Sequence, residues 1–427
     1  MPYAKMRPAL ITGLPGGVPA RPAAVSLPHC WGLVGPDWRA LSRVPRRRAP
    51  RAAVAVGLEL FAVAIQPGRR PPAATCCLVA VIVSLLISPA VRVGLLGAAG
   101  LLAGRSAQAQ TAAAPRSRTF ALTSTATVPV PPAGTKTLDL WLPVPHSDAS
   151  QKVGNLTFVD NRATSGAAAS SKIERGAYGN QMFHLRLIGM PTVPLVITMK
   201  GQVTRREHLN LRANAPTARP AREKTDPDLA RWLAPDRLVP LDAKIRQQAE
   251  EVVAKAGAKT PLEKARAIYE HVVSTVTYDK TGQGWGRGDI YYACDARRGN
   301  CTDFHALVIG YCRSLGIPAR FSIGLPLPAE RGHGEIKGYH CWAEFFTPAT
   351  GWVPVDASEA AKNPAKRAYF FGAHDENRVE FTRGRDVALT PKQAGPPLNY
   401  FVYPYAEADG QPLEVARTYE FLDLRAR

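Results

Sequence analysis

The spacing of apolar and polar positions divides the chain into stretches of different texture. Between residues 112 and 220, β-branched and aromatic residues concentrate in short runs at 120–128, 137–142, 181–187 and 195–203, with Pro, Gly, Asn and Ser clusters between them. Such runs predict strands, and the region as a whole predicts an all-β, sandwich-like domain. A Pro-rich, charged stretch at 213–227 reads as a linker. Beyond it the period lengthens. Ile245, Ala249, Val252 and Val253 share one helical face that ends at Gly257. Thr260-Pro261-Leu262-Glu263 has the form of a capping box with proline in the first turn, which predicts a helix over 261–275 that buries Ala265, Ile268, Tyr269 and Val272. A third segment carries Phe304, Ala306, Leu307, Val308, Ile309, Tyr311 and Leu315, and Gly316 and Pro318 stop it. Apolarity nearly all round predicts a helix buried in a core.

Strand-like runs follow at 319–324, 338–346 and 351–358. Further runs at 400–407 and 416–424 are expected to complete the same sheet, so that 228–427 forms one domain.

Upstream of all this lie two apolar runs, 76–90 and 93–104, separated by Arg92 and followed by Ala107-Gln108-Ala109. A short basic start, about a dozen apolar residues and an A-x-A site are the form of a secretory signal peptide, here 91–109. The two runs together approach the length of a membrane span, which makes a signal anchor the rival reading. Arg92 and the A-x-A site weigh against it. Residues 1–90, rich in Ala, Pro and Arg, read as a disordered or mis-assigned leader, and translation is expected to begin at Val91. On either reading the remainder is exported, to a periplasm or the cell surface, with no stable membrane insertion unless the leader is kept as an anchor. Residues 1–109 hold 13 Lys+Arg against 2 Asp+Glu, a net of +11 out of +20 for the chain. The basic balance therefore belongs largely to the leader, and no nucleic-acid partner is expected.

Candidate chemistry centres on Cys301. Gly299 and Asn300 form a turn before the buried helix, which puts Cys301 at its amino end, where unpaired N–H groups and the helix dipole favour a thiolate. His340 and Asp356 lie on consecutive candidate strands that can set their side chains together. The three supply a nucleophile, a base and an orienter. The glycine-rich loop 281–288 lacks the flanking strand and Lys-Ser/Thr of a phosphate-binding loop and reads as a loop bordering the site, with Trp285 as a lid residue. His305 is expected to be structural and hydrogen-bonded, and His146, His184 and His208 surface or structural.

The segment GNCTDFHALVIGYCRSLGIPAR, with GYHCWAEFF and GWVPVDAS, resembles the catalytic core of the transglutaminase-like superfamily in its exported bacterial form. The resemblance covers about residues 238–358. It implies an α+β fold, a papain-like core with the cysteine helix packed on an antiparallel sheet, here preceded by the β-sandwich-like domain. It also implies Cys301 as nucleophile, His340 as base and Asp356 as orienter. Cys341 departs from the pattern, because many members carry a small or apolar residue there.

The implied reaction is acyl transfer from a peptide or protein amide, in the cell envelope if the chain is exported. Water as acceptor gives a cysteine protease or amidase, the favoured outcome; an amine gives a crosslinking transglutaminase. A non-enzymatic envelope binding module on the same scaffold is the remaining alternative. No cofactor is expected. Cys294, Cys301, His305, His340 and Cys341 are all possible ligands, but their spacing matches no zinc pattern, and strand alternation sends His340 and Cys341 to opposite faces, so no metal is expected either. If Cys341 faces away from Cys301, it can pair with Cys294, and a Cys294–Cys341 disulfide that ties the loop before the nucleophile to the histidine strand is expected. Amino-terminal sequencing of the exported protein is expected to start downstream of the A-x-A site, and a mature chain that begins before Val91 would refute the assigned start.

Overall fold

In the computed structural model, which describes residues 114–161, 168–189, 191–211 and 229–424, the alternating runs are strands. The leader, the signal-peptide segment and the linker lie outside the described residues. β1 (Ser117–Val128) buries Phe120, Leu122, Ala126 and Val128 on one face. On its other face Thr119 and Thr125 share hydroxyl hydrogen bonds with Thr204 and Thr198 across the sheet. β2 (Thr137–Val144), β3 (Gln151–Asp160), β4 (Ala168–Arg175), β5 (Gln181–Ile188) and β6 (Leu195–Arg206) follow. β1 and β3 flank β6, and β2 and β4 flank β5, all antiparallel. The apolar faces of these two sheets meet in one core that contains Phe120, Leu140, Phe183, Leu185 and Ile197.

The helical half begins with α1 (Ala243–Lys255) and α2 (Pro261–Thr275). The expected capping box opens α2: the Thr260 hydroxyl accepts from Glu263 N–H, and the Glu263 carboxylate accepts from Thr260 N–H. α3 (Ile290–Ala296) leads to α4 (Cys301–Ser314), every residue of which is buried. After it come β7 (Ala319–Pro326), β8 (His333–Glu335), β9 (His340–Thr347), β10 (Gly351–Val355) and α5 (Ala357–Lys362). β11 (Arg378–Arg383) completes an antiparallel sheet in the order β10-β9-β7-β11, and α4 packs on it through β9 with α1, α2 and α3 around it. This is the α+β core with a buried cysteine helix that the sequence predicts.

The end of the chain corrects one expectation. Among the described strands of this segment, β11 alone joins the catalytic sheet. β12 (Tyr405–Ala408) and β13 (Gln411–Leu413) extend the sheet of β2, and β14 (Ala416–Asp423) pairs along β1, from Phe120 opposite Asp423 to Thr127 opposite Ala416. β8 then pairs on β14. Periodicity marks a half-buried strand but does not say which edge receives it. Tyr419 and Phe421 of β14 are buried in the same core as the β1 face, so their apolar side chains decide the placement.

The sandwich is also fastened to the catalytic sheet. β11 is an edge strand with unpaired backbone groups. Gln151 donates to the Glu380 carbonyl (2.9 Å) and accepts from Glu380 N–H (2.8 Å). Asn180 likewise donates to the Arg383 carbonyl and accepts from Arg383 N–H, both at 2.8 Å. Two amide side chains thus satisfy the edge as a further strand would. This gives a role to the 141–151 and Tyr178–Gln181 segments, which are distinctive in sequence but carry no reactive group. A chain truncated after Pro404 is expected to lose cooperative unfolding of the sandwich, since β1 and β2 each lose a neighbour; hydrogen exchange at β1 amides measures this, and unchanged protection would refute it.

Candidate active site

The amino end of α4 is built by two side chains. Asn300 is the N-cap, and its Oδ1 accepts from Thr302 N–H at 2.9 Å. Asp303 closes the reciprocal half of the box on Asn300 N–H at 2.9 Å. The same carboxylate accepts from Gly286 N–H (2.7 Å) and Gly288 N–H (3.0 Å), so it gathers the glycine-rich loop against the helix. Asp303 is therefore more than a favourable charge in the first turn. Gly299 makes this approach possible: its φ is +153°, and a Cβ there would fall 2.2 Å from Asp303 Oδ2. On the loop's other side Arg385 donates to the Gly288 and Arg287 carbonyls, and Tyr339 and Tyr400 both donate to the Gly286 carbonyl. The loop is held on both sides rather than free to act as a lid, and Trp285 donates within it to the Gly282 carbonyl.

Cys301 is the first residue of α4 and is 2 % exposed. His340 opens β9, opposite Gly324 of β7, and its ring neighbours the Cys301 thiol closely enough for each to shift the other's titration. His340 Nε2 lies 2.7 Å from Asp356 Oδ2, which leaves Nδ1 for the thiol. Asp356 is not on a strand, as the sequence suggests, but one residue past β10, as the N-cap of α5. Its Oδ1 accepts from Glu359 N–H and the Ser358 hydroxyl, each at 3.0 Å, and its Oδ2 also accepts from Arg378 Nη1 at 3.0 Å. The three residues chosen from sequence are thus brought together.

Electrostatics follow from these contacts. Burial opposes the Asp356 charge, but the His340 and Arg378 cations hold its carboxyl well below the usual range. Burial disfavours an imidazolium, yet Asp356 and Cys301 push His340 up to about 10. Burial likewise disfavours a thiolate, and hydrogen bonds from Cys341 and His340 together with the His340 charge outweigh it, so Cys301 falls well below an ordinary thiol. These opposite shifts, the thiol lowered and the imidazole raised, favour a thiolate–imidazolium pair.

Arg378 was not legible in sequence. It lies on β11, is fully buried, spans Asp356 and Asp375, and sits 4.9 Å over the Trp342 ring. Of the aromatic residues on and after the glycine-rich loop, the Tyr291 hydroxyl is bound to Asp242 and Trp285 Nε1 to Gly282, and the buried Tyr292 hydroxyl has no protein partner.

The cysteines correct a second expectation. Cys294 and Cys341 are both free thiols. Cys294, on α3, contacts Gln248 and the Tyr311 hydroxyl, whereas Cys341 lies against Cys301 and His305. Tyr311 is ten residues along α4 from Cys301, roughly 15 Å at helical rise, so the two sulfurs belong to opposite ends of that helix. Strand alternation fails as a guide here because His340 is the terminal residue of β9. Among the described residues, His146, Asp148 and Glu380 bring potential ligand atoms within 4.8 Å of one another. Arg383 already pairs with both acids there and compensates their charge. His184 and His208 face Asp139 and Glu344.

Residues 246–357 match the transglutaminase-like superfamily, a span that contains Cys301, His340 and Asp356. Over 335 residues the chain is 27% identical to an uncharacterized protein of Haemophilus influenzae, covering 71% of this chain and 89% of that one. It is 25% identical over 118 residues to the uncharacterized protein YebA of Bacillus subtilis, covering 24% of this chain and 16% of that protein. A crystal structure of a candidate cysteine protease from Cytophaga hutchinsonii aligns with a TM-score of 0.48 at 17% identity, covering 73% of this chain and 92% of that one. The periplasmic domain of TgpA from Pseudomonas aeruginosa aligns with a TM-score of 0.26 at 16% identity, covering 58% and 90%. No helix among the described residues is long and apolar enough to cross a membrane.

The pH dependence of alkylation tests the ion pair. A thiol held well below its ordinary value ionises at correspondingly lower pH and loses reactivity only as pH falls through the lowered value. The rate of Cys301 alkylation by iodoacetamide is therefore expected to stay level from neutral pH through the ordinary thiol value of 9.0. A rate that climbs through that value and levels off above it would refute the pair.

Proposed function

We propose that this chain, a member of the transglutaminase-like superfamily through residues 246–357, is an exported thiol-dependent acyltransferase on peptide or protein amides. Its acceptor is water, which makes it a cysteine protease or amidase. The observation that carries this reading is the orientation of His340: Asp356 holds Nε2 at 2.7 Å, and the ring's other side meets the Cys301 thiol.

The Cys301 thiolate attacks the amide carbonyl. Negative charge develops on the carbonyl oxygen, for which the Cys301 N–H, the first amide of α4, is the assigned donor. The His340 imidazolium gives its proton to the departing amine, and an acyl-enzyme remains. His340, now neutral, takes a proton from water, and the hydroxide releases the acid and restores the thiolate. Asp356 stays ionised throughout, fixes the ring's tautomer and stabilises its cationic form. Water is favoured as acceptor because it is small and abundant, whereas an amine needs a second binding site. Export is supported by the form of residues 91–109.

Incubation of the mature protein with envelope-derived peptides and a labelled amine, followed by mass analysis, is the test. Hydrolysed product is expected, and amine incorporation in its place would overturn the choice of water. Cys301→Ala is expected to abolish both turnover and labelling by a thiol-directed acyl probe. Asp356→Asn is expected to lower kcat on the order of 10³- to 10⁴-fold by permitting the wrong tautomer. Retained turnover in Cys301→Ala would sink the mechanism.

A further inference from the structure

Cys341 is a buried thiol that the mechanism does not use. Its Sγ lies 3.6 Å from Nδ1 of His305, which stands one helical turn after Cys301 on α4, and it directly follows His340 in β9, so the thiol belongs to the surroundings of Cys301. His305 sets the direction of this chain. Ala357 N–H donates to Nε2 at 3.2 Å, so the neutral ring carries its proton on Nδ1 and directs it at Cys341 Sγ. Burial holds His305 below its ordinary value and so in the neutral form. The Cys341 S–H is left to donate to the Cys301 thiolate. Burial and that neighbouring thiolate push Cys341 well above an ordinary thiol, so it keeps its proton.

An attacking thiolate with a second, protonated thiol nearby is the arrangement of a peroxide-sensitive cysteine and its resolving partner. We propose that hydrogen peroxide converts Cys301 and Cys341 into a reversible disulfide that switches the site off and spares Cys301 from irreversible oxidation. The proposal rests on the reading of Cys301 as the reactive thiolate. The Cys301 sulfur attacks one peroxide oxygen and the O–O bond breaks, giving a sulfenic acid and a hydroxide that takes the His340 proton and becomes water. The Cys341 sulfur then attacks the sulfenic sulfur. The S–S bond forms, the S–O bond breaks, and the Cys341 proton leaves with the hydroxide as a second water. Two thiols are oxidised and one peroxide is reduced to two waters.

The other described cysteines do not share this setting. Cys312 is buried within α4 with its thiol pushed up to about 12, and Cys294 is raised by burial and bound to Gln248 and Tyr311. Neither is a thiolate at neutral pH.

The test uses the full mature protein, reduced, freed of reductant and given one equivalent of hydrogen peroxide at neutral pH. The expected product has lost two hydrogens by intact mass, yields a Cys301–Cys341 crosslinked peptide when digested without reduction, and regains both thiols with dithiothreitol. In Cys341→Ala the same treatment is expected to carry Cys301 to the sulfinic acid, at least about tenfold more than in the parent, beyond recovery by dithiothreitol. Cys294→Ala is expected to form the bridge as the parent does, which controls for cysteine removal in general. Sulfinic acid at Cys301 beside a free Cys341 thiol in the parent, or a bridge that maps to Cys294 or Cys312, would overturn the proposal. Peptide hydrolysis by the reduced protein is measured in parallel: a bridge without hydrolysis keeps the redox site and rejects the hydrolase, and hydrolysis without a bridge does the reverse.

Discussion

A fully buried carboxylate costs several kcal/mol unless every lone pair finds a donor, and Asp356 is such a group. Its four acceptor positions are filled by His340, Arg378, Ser358 and the Glu359 amide, two on each oxygen. Those donors come from β9, β11 and the first turn of α5. The requirement to compensate one charge therefore fixes how three elements meet. Its saturation also keeps Asp356 ionised, and that charge sustains an imidazolium at His340, which in turn sustains a thiolate at Cys301. Arg378 counts as part of this support: without its guanidinium, one lone pair of the fully buried Asp356 would lose its donor.

A second carboxylate plays the matching part on the other side of Cys301. Asp303 accepts from three backbone amides, two of them in the glycine-rich loop, and so converts a flexible segment into a wall of the site. Tyr339, Tyr400 and Arg385 secure the same loop through its carbonyls. The thiol is consequently almost wholly enclosed, which strengthens its ion pair with His340 by excluding solvent. The same enclosure places a second sulfur, Cys341, beside His305 and next to His340.

Support for this arrangement reaches beyond the catalytic sheet. Gln151 and Asn180, from the sandwich, satisfy the open edge of β11, the strand that carries Arg378. β14 ties the chain's end to β1, and β8 rides on its outer edge. The sandwich thus steadies the strand from which Asp356 is neutralised.

Local patterns determined many of the elements, though not β3, β4 or α3. The capping box at Thr260, the helix that begins at Cys301, the alternating strands and the residue types of a Cys-His-Asp set all depend on neighbours within a few positions, where periodicity and capping act. The Asn300–Asp303 box was equally available in sequence, three residues apart, though its grip on the glycine loop was not. What tertiary structure alone decided were contacts between distant segments: the placement of β12 to β14 on the sandwich, the neutralisation of Asp356 by a residue 22 positions away, and the side to which Cys341 turns. Half-burial and charge can be read along a strand, but which partner satisfies them depends on which surfaces meet, and a one-residue difference at a strand end reverses the face. That is why sequence paired Cys341 with Cys294, whereas the fold sets it beside Cys301.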